Sequence, residues 1–146
     1  MNTAREGLST VGIVTAALAF GGQTSDGQVA LTEQWNGTSW TEVADLNQVR
    51  EQMCAGGTQT LALAATGNIP PVTTKTEAWN GTSWTEVADM ATARQLGSGA
   101  GASSSSALAF GGTPPVTAAT EEFTAAGATD TIENDGQVFY RSDTGD

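Results

Sequence analysis

Histidine is absent from this sequence, lysine occurs once (Lys75), cysteine once (Cys54), and five Lys and Arg stand against 16 Asp and Glu, a net charge of −11. Each shortage closes off chemistry. Without histidine, neither a Cys-His pair nor a Ser-His-Asp triad can be assembled. A lone cysteine permits no internal disulfide. The acidic balance offers no cluster of cations for phosphates, which argues against a nucleic-acid partner, and it opposes docking on an anionic membrane. No apolar run approaches the ~20 residues of a membrane span. The stretch 11–20 has the look of a signal-peptide core, yet its counterpart at 106–112 lies deep inside the chain, so both read as copies of one strand. Neither a signal peptide nor a membrane segment is expected. Only 14% of the 146 residues are charged, and Gly, Ala, Thr and Ser dominate, which suits tight turns and closely packed short strands.

What the chain has instead is repetition. The words WNGTSWTEVAD stand at 35–45 and again, letter for letter, at 79–89. Arg5, Arg50 and Arg94 recur at intervals of 45 and 44. Each precedes a glycine that closes an apolar strand: Gly22 after Gly21, Gly67, and Gly112 after Gly111. Trp35, Trp79 and Phe123 follow at intervals of 44. From glycine to aromatic the gap shrinks from 13 to 12 to 11 residues, the behaviour of a loop. A fixed period of this length marks a stacked repeat architecture. Cys54 aligns with Ser9 and Ser98, so it reads as a small packed residue rather than a nucleophile.

Each unit is expected to hold four short strands: 9–14, 16–20, 29–35 and 40–46 in the first, and 53–58, 61–65, 73–79 and 84–90 in the second. No helix is expected, because no 3.6-residue apolar period survives the glycines. Asn36-Gly37 and Asn80-Gly81 mark hairpins, since both positions of a type I′ turn need positive φ. Side chains alternate along a strand, so Trp35 and Trp40, like Trp79 and Trp84, fall on one face whichever loop length is used. One sheet cannot cover two indoles; a neighbouring unit can. The paired indoles are expected to face the next unit.

The arginine before strand one, the Gly-Gly closing strand two, the strand-three aromatic and the strand-four tryptophan resemble the kelch repeat. That resemblance implies an all-β protein of β-propeller blades, about three four-stranded antiparallel units at 1–123 (2–46, 47–90 and an incomplete 91–123). A divergent segment follows at 124–146. The chain departs from the kelch pattern at Thr66, where a first glycine is usual, and in using Trp for the strand-three Tyr. WD40 repeats fit less well, for lack of a Gly-His or Trp-Asp dipeptide. The wording ALAFGG and TEQWNGTSWTEVADL is similar to repeat proteins of tailed phages of marine bacteria, which are virion components. Met1 aligns with Leu46 and Met90, so the chain begins in mid-repeat, as expected of a segment of a longer array or of a first strand that completes a blade elsewhere. After Phe123 the cassette is lost; the run 137–141 reads as a strand that either replaces the missing fourth or opens a following module. Three blades fall short of a ring, so self-association or embedding in a larger assembly is expected.

Other motifs have plainer explanations. The Asn-Gly-Thr triplets match a glycosylation pattern, but the turn accounts for more of their residues. Glu33, Glu77 and Glu121, with Glu42, Glu86, Asp45 and Asp89, recur in register. A hydrolase needs one such pair in one pocket, so these acids are expected to accept bonds from turns or to pair with the three arginines. The acidic stretch 130–136 lacks the spacing of a calcium loop. No cofactor or metal is expected, nor any enzymatic activity. The copper oxidase chemistry housed by kelch architecture needs histidines, which the chain lacks, and sialidase-like propellers need an arginine cluster and a catalytic Tyr, whereas Tyr140 lies outside the repeats.

In an up-and-down unit the loops between strands two and three share one end with the links between units. There stand Gln23 and Asp26, then Asn68, Pro70 and Pro71, then Thr113, Pro114 and Pro115, in loops of unequal length, two of them stiffened by Pro-Pro. This end is the expected recognition face. The resemblance implies a non-enzymatic virion module (tail, fibre or decoration) that stacks on itself or on other virion proteins and recognises a host-surface glycan or protein. A cellular kelch-type interaction scaffold is the alternative, and a propeller enzyme comes third.

Overall fold

Short runs of small and β-branched residues, punctuated by glycine, leave this chain only strands to form. The computed structural model describes residues 1–124 and the backbone of one further strand, 129–132. Among the described residues there are fourteen strands and no helix. Three antiparallel sheets of four strands follow one another along the chain. The first joins β1 (Ser9–Ile13), β2 (Ala16–Phe20), β5 (Thr32–Trp35) and β6 (Trp40–Glu42). A small hairpin, β3 (Gln23–Thr24) with β4 (Gly27–Gln28), rises from the loop after β2, where no strand is expected. The second sheet runs β7 (Cys54–Gly57), β8 (Ala62–Ala65), β9 (Thr76–Trp79) and β10 (Trp84–Glu86). The third runs β11 (Ser98–Ser103), β12 (Ser106–Phe110), β13 (Thr120–Thr124) and β14 (Thr129–Ile132). Thus β14 fills the fourth place in the third sheet. The run 137–141, Tyr140 and residues 133–136 of the acidic stretch lie outside the described residues.

Strands three and four are shorter than the sequence suggests, for a local reason. In the first unit the Asp45 carboxylate accepts the Thr32 N–H at 3.1 Å, and the Val43 N–H donates to the Thr32 carbonyl at 3.0 Å. A side chain thereby takes over part of the ladder and the chain peels away after Glu42. The Asn-Gly hairpins differ too. Gly37 has φ 93°, but Asn36 is not among the residues of positive φ. Asn36 instead uses its side chain: Oδ1 accepts the N–H groups of Thr38 and Ser39, both at 2.9 Å. Asn80 repeats this with Thr82 and Ser83. The asparagines are there for an Asx cap rather than for a type I′ backbone.

Two apolar clusters lie between the sheets. Leu18 and Phe20 of the first sheet meet Ala62, Ala64, Trp79 and Trp84 of the second, with Leu46 from the link and Met53. Leu63 and Ala65 of the second meet Ala107, Ala109 and Phe123 of the third, with Met90 from the next link and Cys54. Trp79 stands opposite Trp84 in the ladder, ring centroids 5.4 Å apart, and Phe20 meets Trp84 edge-on at 4.8 Å. A buried indole removes ~150–250 Å² from water, an upper bound of ~4–6 kcal/mol. The indoles of one unit therefore face the preceding unit, not the following one. Trp35 and Trp40 show the same pairing at 5.5 Å, but they stand half-buried on the outer side of the first sheet.

The first strands of successive sheets run so close that side chains must be small. A Cβ on Gly99 would overlap the Ala55 backbone, and one on Gly56 would stand 2.9 Å from the Ala100 carbonyl oxygen. Cys54 belongs to this crowded zone. It is 1% exposed, and burial pushes its thiol above the usual range. With little thiolate and no access, Cys54 is expected to resist iodoacetamide in native buffer and to react only as urea unfolds the chain. Ready alkylation of the folded protein contradicts this packing.

Candidate interaction surface

The loop end of each unit is built on the same support. Arg50 enters from the link and lies fully buried. It donates to the carbonyls of Ala64 (3.3 Å), Thr66 (3.3 Å) and Lys75 (2.6 Å), and to Glu77 Oε1 at 2.8 Å. Arg5 pairs with Glu33 at 2.8 Å and reaches the Ala19 carbonyl; Arg94 pairs with Glu121 and reaches Gly111 and Ala119. The arginine–glutamate pairing expected from the register is present in all three units. Each glutamate also caps the link: Glu77 accepts the Asn47 N–H at 2.7 Å, Glu33 that of Asn2 at 2.5 Å and Glu121 that of Ala91 at 2.6 Å. Burial pulls the Arg50 guanidinium below its ordinary pKa against the opposing pull of Glu77.

On this support the second glycine closes each loop. The Gly22 carbonyl accepts the Val29 N–H (2.9 Å), Gly67 that of Thr73 (3.0 Å) and Gly112 that of Thr117 (3.1 Å). Six residues lie between 22 and 29, five between 67 and 73, and four between 112 and 117. Bridges Glu6–Gln23, Glu51–Asn68 and Gln95–Thr113 bring each loop start against the link entering its own unit. The three expected recognition loops therefore emerge at one end. Asp26, Pro70, Pro71, Pro114 and Pro115 are exposed, whereas Gln23, Asn68 and Thr113 are half-buried as loop anchors.

Part of this surface carries no repeat signal. Gln28 Nε2 donates to Glu51 Oε1 (3.2 Å) and to the Asn68 carbonyl (3.0 Å), and Asn68 Nδ2 also reaches Glu51. That network ties the first loop to the second. Beside it, Gln48, Val49, Ile69, Pro71, Val72, Thr73 and Lys75 line an open groove of about 550 Å³. The Lys75 ammonium is held by Glu86 and, at 3.5 Å, by Asp89, and the Glu86 bond is first among the causes raising its pKa. Every Lys and Arg side chain among the described residues is thus engaged with a carboxylate. On the opposite end, Gln59 donates to the carbonyls of Ala17 (3.2 Å) and Trp35 (2.5 Å), stitching the first two units together. Gln59 is unlike its repeat counterparts, so only the assembled units could show this contact. Among the described residues, no group of three or more Cys, Asp or Glu converges as a metal site.

No protein-family model matches the sequence, and no curated protein matches it. Solved structures do. The protein titled "Structure of YjhT", of kelch-type fold, superposes over 90% of this chain with a TM-score of 0.73 at 13% identity. The chain has a kelch-like β-propeller fold. Its three sheets are propeller blades, and they span 46% of the YjhT chain, less than half its length. At this identity the likeness carries the fold alone. No helix among the described residues is long and apolar enough to cross a membrane.

Proposed function

We propose that this chain is a non-enzymatic assembly and recognition module, in which stacked blades hold loops of graded length toward another macromolecule. One observation carries the reading: the same arginine–glutamate support is built three times, and what it presents differs each time, in loops of six, five and four residues. A repeated scaffold with unrepeated loops is the arrangement of a binding face. Stiff prolines at 70–71 and 114–115 reduce the entropy lost when such loops are ordered by a partner. The phage-like phrasing of the repeats supports a place in a virion, as a tail, fibre or decoration component that contacts a host-surface glycan or protein or a neighbouring virion protein.

The test is a loop exchange. Replacing 69–72, between the anchors Asn68 and Thr73, by a Gly-Ser segment of equal length is expected to abolish binding on a glycan array or to host cells while leaving the thermal midpoint within a few degrees. Undiminished binding by the exchanged protein removes this face from the proposal. Failure of the chain to co-sediment with phage particles removes the virion assignment.

A further inference from the structure

Where the three units otherwise copy one another, the groove beside Lys75 is built once. Val49 stands before Arg50, whereas Ala4 and Ala93 precede Arg5 and Arg94; Lys75 stands where the other units carry Leu31 and Ala119. Ile69 is an extra residue: the second loop reads Asn-Ile-Pro-Pro-Val-Thr, the third Thr-Pro-Pro-Val-Thr. A backbone bridge between Asn68 and Val72 turns the second loop back on itself. Ile69 and Val72 thereby line the groove together with Val49 of the link. Val49 is 45% exposed, and Ile69 and Val72 are half-buried. Blade stacking does not account for them, since none of the three belongs to either apolar cluster between the sheets.

The polar side of the groove has a definite sign. Lys75 lines it, and its ammonium is shared between Glu86 and, at 3.5 Å, Asp89. Two carboxylates against one ammonium leave an excess of one negative charge. Asp89 also accepts the Thr74 hydroxyl at 3.4 Å. The Glu86 and Asp89 side chains are 49% and 38% exposed, and a carboxylate offers about four acceptor positions, so both keep capacity for a further donor. An anionic ligand meets this excess and a chain of −11. A sugar is gripped by stacking its C–H face on an aromatic ring, and no aromatic residue lines the groove.

We infer that this groove receives a lysine or arginine side chain, flanked by aliphatic residues, from a segment of a partner protein. The methylene stem lies along Val49, Ile69 and Val72 while the charged head joins Glu86 and Asp89, the division such side chains adopt wherever apolar surface meets water. Because the two carboxylates are half in solvent, the charges orient the segment and speed its arrival, and the apolar stem and its neighbours supply the hold. The field of a −11 chain draws a cationic partner from a distance, an attraction that salt weakens. The inference names a partner class for the loop end and rests on the reading of that end as a binding face. The two fail separately, because other loops at this end can bind without the groove.

The probe is the peptide acetyl-Gly-Leu-Lys-Leu-Gly-amide, titrated into the isotope-labelled full chain. It is expected to shift the methyl signals of Val49, Ile69 and Val72 saturably. Peptides with Asp for Lys, or Ser for both Leu, are expected to bind at least ~10-fold more weakly, a loss of ~1.4 kcal/mol. Ile69→Ala weakens the lysine peptide ~5-fold by removing apolar contact. Lys75→Met keeps an unbranched stem and frees both carboxylates, so it tightens that peptide several-fold, and Glu86→Gln loosens it. The Lys75 carbonyl that Arg50 uses is unchanged in all of these, and circular dichroism reports that each variant is folded. Preference for the Asp peptide, weaker binding of the lysine peptide by Lys75→Met, or shifts that never saturate overturn the inference. A glycan that binds the loop end equally well in Ile69→Ala and Lys75→Met, with no lysine-peptide binding, also overturns it while leaving that end a binding face.

Discussion

Arg50→Ala is expected to lose ~3–5 kcal/mol of folding stability, the cost of stranding a buried charge, and so to unfold at a much lower urea concentration with little change in slope. Glu77, 2% exposed, keeps its negative charge and its bonds from Asn47 but loses its counter-ion. The carbonyls of Ala64, Thr66 and Lys75 lose a donor together. Their loss matters because they lie where β8 ends and β9 begins, so the arginine clamps two strands and a loop at once. Against a total of ~5–15 kcal/mol for a domain, such a loss approaches complete unfolding. Burial outweighs Glu77 in setting the Arg50 pKa, so the pair is costly to break without being a large net stabiliser. Arg50→Lys keeps the charge without the planar fork that reaches several carbonyls, and it should fall between. An Arg50→Ala protein with the parental midpoint would falsify the clamp.

Trp84→Ala should cost ~3–5 kcal/mol, the range for emptying a large aromatic site in a core. The same change at Trp40, in a cassette identical letter for letter, should cost only ~0.5–1.5 kcal/mol at low protein concentration. Trp84 is 6% exposed, packs edge-on to Phe20 and donates to Thr32. Trp40 lies with its ring centroid 5.5 Å from that of Trp35 and is only half-buried. Urea titrations of the two variants decide the matter. Equal losses would show that the indoles act within their own sheet and not between sheets.

Much of this was legible before any coordinates. The spacing of Arg5, Arg50 and Arg94 against Glu33, Glu77 and Glu121 announced a repeated ion pair, because a charge kept in register with an opposite charge on every unit has a structural use. Alternation placed Trp35 beside Trp40 and Trp79 beside Trp84. The β3–β4 hairpin was hidden because Gln23–Gln28 has neither β-branched residues nor alternation. The role of Asn36 was misjudged because two mechanisms, positive φ and side-chain capping, favour the same residue at a turn. Gln28 and Gln59 gave no signal, since each makes its contact across units and neither is repeated.

The repeat length, the strand order within a unit and the aromatic pairing followed from the chain alone, since they depend on contacts a few residues apart or on a period of 2. The direction in which the indoles point, the closeness of the first strands and the groove beside Lys75 were decided only by the stacked blades. Those features depend on which face of a twisted sheet meets its neighbour, and an identical eleven-residue word reads the same whether that neighbour is present or not.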